Sequence, residues 1–142
     1  MKKALVAVRD FESGSILLKK LMDFFGDWVT EVHLLNVIDK ESLDYLSTFK
    51  NKTIEEILEE KKLENENILT KLKNEYAISH LYITTEILEG FIAENIIKSS
   101  KKEHVDFIVM GTKSETITKR LIKNHVRYVI EISDIPILLF PV

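Results

Sequence analysis

The chain has 142 residues, a formal net charge of -3 and no cysteine. That length suits one domain with a buried core, while the missing thiols exclude disulfides, thiol chemistry and zinc sites with sulfur ligands. The acidic balance offers no general attraction for nucleic acid or anionic membrane, five apolar residues after Met1-Lys2-Lys3 are too few for a secretory leader, and no apolar run reaches the roughly 18 residues of a membrane span, so a cytoplasmic protein is expected.

Residues 4–8 (Ala-Leu-Val-Ala-Val) form a continuous apolar run, as in a strand buried on both faces of a parallel sheet. Arg9-Asp10 end it. Ser13 or Ser15 is the expected cap of a helix in which Ile16, Leu17, Leu21, Phe24 and Phe25 recur at helical spacing, with Gly26 as its stop. Residues 32–38 read as a second strand, completing a right-handed βαβ unit. Residues 39–52 read as a polar connection held to the body by Tyr45 and Phe49.

A long helix is expected from Thr53 to about Tyr76, opened by a capping box of Thr53 and Glu56. Its apolar positions fall into two patches, Ile54, Ile57 and Leu58, then Ile68, Leu69, Leu72 and Tyr76. Lys61, Lys62 and Asn65 interrupt the stripe and Leu63 lies off it. A helix of ~24 residues is about 36 Å long, against roughly 20 Å for a typical strand. Its first half should therefore reach past the sheet or bend. Glu55, Glu59 and Lys62 read as a solvated face stabilised between neighbouring turns.

Residues 80–88 are the third strand, and Glu89-Gly90 turn into a helix with Ile92, Ala93, Ile96 and Ile97 inward. Residues 98–103 read as its charged, solvated end. The fourth strand begins at Val105 and stops at Gly111-Thr112. A polar loop follows over residues 113–123, packed down by Ile117, Leu121 and Ile122. Asn124 is the expected N-cap of a last helix with Val126, Val129 and Ile130 inward. Pro136 and Pro141 fit an edge strand, where missing amide donors matter least. Strands alternating with helices give the α/β class.

Little catalytic chemistry is visible. The histidines are scattered, without HExxH or other paired metal spacing. His33 reads as a packed or hydrogen-bonded core residue, and His80 and His104 as surface residues. His125 stands at a helix start near the glycine turn, where the helix dipole disfavours an imidazolium and a bound phosphate would offset that. With four glycines, Gly14, Gly26, Gly90 and Gly111, the chain has no P-loop, no GxGxxG and no GxSxG elbow. Lys113, Lys119, Arg120, Lys123 and Arg127 make the loop locally basic, which is either a solvated loop or an anion site where a loop leaves a strand's carboxyl end. Tyr128 alone is too little aromatic surface for a nucleic-acid groove.

The run Val105-Asp106-Phe107-Ile108-Val109-Met110-Gly111-Thr112 resembles the C-terminal half of a universal stress protein domain, where a strand ending in this way leads into a nucleotide loop. The similarity extends over nearly the whole chain. It implies one domain over residues 1–142, a three-layer α/β sandwich of the adenine-nucleotide alpha hydrolase-like, Rossmann-like kind, with a five-stranded parallel sheet in the order 3-2-1-4-5. The family's nucleotide pattern is Gly, two residues, Gly, nine residues, Gly, then Ser or Thr. Here those positions hold Gly111, Ser114, Asn124 and His125, so one glycine of three is kept and the hydroxyl is lost.

The Asp that closes the family's first strand falls on Arg9, with Asp10 one step along, and a one-residue slip re-aims a side chain. Arg9 is either solvated or faces a phosphate. The Val that lines the base is kept as Val37. The resemblance therefore marks Arg9, Val37, Gly111, Thr112, Ser114, Asn124, His125 and Val126 as a candidate nucleotide or anion site, with no catalytic residue and no metal. It implies a non-enzymatic module acting in stress response through an unidentified protein partner. No resident cofactor is expected: ATP would bind weakly or not at all, and weak binding of AMP or phosphate is left open by the basic loop. The alternative is a nucleotide-binding stress sensor with a remodelled loop. An enzyme of the related fold is disfavoured, because Arg9-Asp10-Phe11-Glu12-Ser13 stands where an SGGxDS-type loop would be. A homodimer is expected through the last strand, Ile135-Pro136-Ile137-Leu138-Leu139-Phe140, whose exposed apolar edge invites pairing.

Overall fold

A computed structural model describes residues 2–112 and 124–142. The elements are β1 (Lys2–Ala7), α1 (Phe11–Phe25), β2 (Val29–Asp39), α2 (Lys40–Lys50), α3 (Ile54–Glu75), β3 (Tyr82–Gly90), α4 (Ile92–Lys102), β4 (Phe107–Thr112), α5 (Asn124–Ile132) and β5 (Ile137–Pro141). The five strands are all parallel, in the order β3-β2-β1-β4-β5. Side chains alternate across the pleat. Ala4 and Val6 of β1, with Val8 just past its end, pack with Leu17 and Leu21 of α1 and Leu69 and Leu72 of α3. Leu5 packs on the other face with Ile96 of α4 and Val126 and Val129 of α5. Two apolar seams on one central strand give the three layers.

The N-terminus of α1 lies earlier than either serine. Asp10 is the cap, its Oδ1 accepting from the Ser13 amide at 2.8 Å, and Ser13 itself is buried in the first turn. Gly26, at φ 50°, closes the helix as expected.

The connection after β2 is a helix, and Tyr45 and Phe49 do not hold it down. They are 68% and 75% exposed and stack on each other. Leu43 is the buried residue of α2. Two and six residues further on, at ~100° per residue, both rings come out on the far side of the helix.

The capping box of Thr53 and Glu56 forms, and α3 runs as one helix across the interrupted stripe. Its first half passes beyond the main core onto a small third cluster of Ile38, Leu43 and Ile57. The interruption is bridged by a polar link. Asn65 Nδ2 donates to Asn36 Oδ1 at 2.7 Å, and Asn36, 4% exposed, donates from Nδ2 to the Val8 carbonyl at 2.9 Å.

The end of α4 is solvated on one side only, with Lys98, Lys101 and Lys102 exposed. Ser99 and Ser100 are buried, and the last turn meets His33 on β2. His33 Nε2 lies 2.9 Å from Glu86 Oε1, and Nδ1 lies 2.7 Å from Thr84 Oγ1. Ser99 Oγ donates to the same Glu86 oxygen at 2.7 Å, Lys102 pairs with the other, and Lys3 of β1 reaches Glu103 at 3.2 Å. Burial alone would raise the Glu86 carboxyl, but hydrogen bonds from Lys102, His33 and Ser99 outweigh it and hold it at about 2. An ionised carboxylate only accepts, so His33 Nε2 carries a hydrogen. His33 is thus a hydrogen-bonded core residue, as its place in a strand suggested.

In α5, Val126 and Val129 are buried, whereas Ile130, expected inward, is exposed; it stands ~100° round the helix from the fully buried Val129 and falls past the edge of the seam. α5 is described from Asn124 onward, and the residues just before it lie outside the described ones. Ser114 and the apolar loop residues Ile117, Leu121 and Ile122 also lie outside them. Among the described residues no helix is long and apolar enough to cross a membrane.

Candidate functional site

β1 and β4 are neighbours, and the helices that follow them pack on opposite faces, α1 with the first apolar seam and α5 with the second. Divergence of this kind opens a crevice at the strands' carboxyl ends, where open α/β sheets place ligands. Val8, Arg9 and Asp10 form one lip and Gly111 and Thr112 the other.

On the first lip, the Val8 amide donates to the Leu35 carbonyl at 2.8 Å, while the Asn36 side chain holds the Val8 carbonyl. Arg9 follows with its side chain 52% exposed, and its Nε donates to Asp10 Oδ2 at 3.0 Å. Since Asp10 Oδ1 already accepts from the Ser13 amide, both carboxylate oxygens are engaged. Burial would raise this carboxyl; hydrogen bonds from Ser13 and Arg9 prevail and lower it. The carboxylate one step along is therefore occupied as a helix cap.

On the second lip, Gly111 lacks the positive φ seen at Gly26 and Gly90. Its demand for glycine is one of space, since an added Cβ would lie 2.8 Å from Val142 Cγ2. Val142 is fixed there by its amide, which donates a hydrogen bond to the Thr112 carbonyl at 2.7 Å. Val37 stands on β2, two residues past the Ala7–Leu35 pair and so level with Arg9, and packs partly into the α4–α5 seam. His125 is half-buried in the first turn of α5. Val126 is a core residue of that same seam. The described residues thus bring Arg9, Val37, Gly111 and Thr112 to the crevice, with His125 at the start of the helix beyond. Among them no group of three or more acidic or histidine side chains could hold a metal.

Sequence reading missed Asn36 and Asn65, which set the first lip. A signal existed for each: an amide inside an apolar strand and an amide inside an apolar helical stripe, both needing partners once buried. Nothing in the sequence paired them across 29 residues.

The sequence matches that of the Universal stress protein family over residues 1–141. The chain belongs to this family. It is 30% identical over 152 residues to universal stress protein MJ0577 of Methanocaldococcus jannaschii, covering 97% of this chain and 94% of that one. The MJ0577 structure superposes with a TM-score of 0.80 at 29% identity, over 99% and 96% of the two chains. Universal stress protein UspA from Lactobacillus plantarum gives 0.75 at 17% identity, over 98% and 97%. An Arabidopsis thaliana universal stress protein family protein with AMP bound gives 0.65 at 15%, over 99% and 92%. The last two share the fold alone. The strand order expected of a universal stress protein is the one found.

Proposed function

We propose that this universal stress protein is a single-domain, non-enzymatic cytoplasmic module that acts in stress response through protein partners and holds ATP weakly or not at all. The observation that carries this is the first lip of the crevice. Where the resemblance implies a carboxylate toward the adenosine, Arg9 presents a cation, and Asp10 has both oxygens engaged. Loop composition supports the same reading. Glycine lets a backbone come close to phosphates because it lacks a side chain, and Asn124 and His125 add bulk where the family has Gly and Ser. Losing two or three contacts of roughly 1–3 kcal/mol each turns a micromolar site into a millimolar one or worse.

Calorimetry with Mg-ATP on the wild type and on Arg9→Asp/Ser114→Gly/Asn124→Gly/His125→Ser tests this. No measurable heat is expected for the wild type, with heat recovered in the fourfold variant. A wild-type dissociation constant in the low micromolar range would overturn the reading. A second reading, a nucleotide sensor with a remodelled loop, draws support from Arg9, whose exposed side chain just past the end of β1 is a cation for a phosphate. AMP in the same titration separates the two.

The proposal includes a homodimer through the last strand. The Pro136 carbonyl accepts from Ile108 and the Val142 amide donates to Thr112, both toward β4. By alternation, the backbone groups of Ile137 and Leu139 face away from the sheet. They form a short edge on which a second copy could pair.

A further inference from the structure

We infer that the α2–α3 hairpin is a docking surface for a basic, amphipathic segment of a partner protein, with Tyr45 and Phe49 as apolar anchors and the surrounding carboxylates as counter-charges. This rests on the reading that the protein works through partners, and names the surface and the chemistry that fits it.

Three observations converge. The first is the aromatic pair, whose rings stack at 6.1 Å and 10° on the outer side of α2. Neither ring belongs to the cluster that seats the hairpin, which is built from Ile38, Leu43 and Ile57 with Leu46, Leu58 and Ile87 against it. A helix face that only meets water has no use for two large rings, whereas aromatic side chains concentrate at protein interfaces.

The second observation is charge. Residues 40–66 carry eight carboxylates against five lysines, a net of -3, which is the formal charge of the whole chain. The remainder balances. All eight carboxylate residues are exposed. Lys52 pairs with Glu60, Lys61 with Glu64 at 3.5 Å, and Lys62 reaches out of the hairpin to Glu89 at 3.7 Å. Among the described residues, Glu41, Asp44, Glu55, Glu59 and Glu66 have no ion pair.

The third is arrangement. Glu41, Tyr45 and Phe49 recur every four residues along α2, so acid and rings share one stripe. On α3, Glu55, Glu59, Leu63 and Glu66 follow one another at four, four and three residues and so share a stripe too, with Leu63 63% exposed among the acids. Each stripe, combining apolar side chains with carboxylates that have no ion pair, is complementary to a helix or extended segment that alternates apolar residues with lysine or arginine. The same charge repels nucleic acid and anionic lipid, and it repels a second copy of itself.

The test uses the full chain and Tyr45→Ser/Phe49→Ser, whose exposed positions leave the core untouched. The probe is a synthetic peptide of leucine and lysine at amphipathic helical spacing, with a leucine–glutamate peptide as control. Both are titrated while backbone amides are followed by NMR. The lysine peptide should shift amides within residues 40–66, bind the double variant at least tenfold more weakly, and weaken as salt rises. The glutamate peptide should do nothing. Shifts centred elsewhere, or equal affinity for both chains, would overturn the proposal. So would a change of oligomeric state in the variant, which would assign the face to a second copy. Quantitative capture from cell extract on both chains separates the two levels. Equal recovery on both leaves partner action standing and removes this surface, while recovery on neither removes both.

Discussion

Replacing Glu86 by Gln should destabilise the protein at neutral pH and leave it nearly unaffected in acid. Glu86 Oε1 accepts from His33 Nε2 and Ser99 Oγ, and Oε2 meets the Lys102 ammonium. A glutamine keeps one accepting oxygen but turns an NH2 toward Lys102, setting donor against donor. The carboxyl lies at about 2 in the folded protein against an ordinary 4.5. At ~1.4 kcal/mol per tenfold change in proton affinity, that sets a ceiling of about 3 kcal/mol. The Glu86 side chain is 16% exposed, but that of Lys102 is 54% exposed. Solvent screening on the lysine side reduces the expectation to about 1–2 kcal/mol.

The sign follows from the direction of the shift. A carboxyl lowered on folding contributes its full stabilisation above about 4.5 and loses it as the pH falls toward 2. Urea denaturation followed by circular dichroism, on wild type and Glu86→Gln, should show a gap of about 1–2 kcal/mol at neutral pH. The gap should shrink by more than half near pH 3. Carboxyls elsewhere titrate in both proteins and cancel. A gap that is absent at neutral pH, or unchanged in acid, would refute the assignment of Glu86 as an ionised acceptor.

Gly14→Ala should lower the melting temperature. A Cβ there would lie 2.8 Å from Leu72 Cδ1 and 3.1 Å from Val8 Cγ1, and the cost of overpacking, about 1–3 kcal/mol, exceeds the ~1 kcal/mol helical gain over glycine; a rise would mean that Leu72 swings aside. In hydrogen exchange, amides around Ile57 should open at lower free energy than those between Leu69 and Leu72, because the first half of α3 rests on three buried residues and the second on the main core. Equal protection along α3 would show the small cluster to be as firm as the large one. Leu139→Asp should convert a dimer into monomer or aggregate, read by sizing with light scattering; a wild-type monomer at micromolar concentration would remove the edge-pairing proposal.

Strands were legible because apolar runs such as residues 4–8 and 105–112 have one stable home, the middle of a parallel sheet; their order came from the resemblance to universal stress proteins, since alternation with helices gives only the class. Glycine was legible at Gly26, where a helix stops, but the reason for Gly111 was not. Its neighbour is Val142, thirty-one positions along, and no local pattern encodes that contact. Tyr45 and Phe49 misled because size and apolarity argue for burial while the helical phase set by Leu43 argues against it; the phase prevailed. The end of α4 misled for a related reason. Lysines and glutamates in a row read as solvated, yet the last turn reaches a buried histidine 66 residues earlier than Ser99, and only the fold brings them together. At the crevice, the exchange of Asp for Arg9 was readable residue by residue. The capture of Asp10 as a helix cap was not, because Ser13 and Ser15 offered equally plausible caps.

The link from Asn65 through Asn36 to the Val8 carbonyl has a consequence for registry. A helix of 22 residues lying along an apolar strip can slide by one turn and still bury a comparable area, since leucine against isoleucine is an undemanding match. An amide facing an amide has one correct position. A slide of one turn would put Leu69 where Asn65 sits and leave Asn36 with an unmet acceptor inside the protein, at roughly 1–3 kcal/mol. The polar gap in the stripe thus works as a detent, fixing how far along the sheet α3 comes to rest, and with it the height at which the acidic hairpin stands above the ends of β2 and β3.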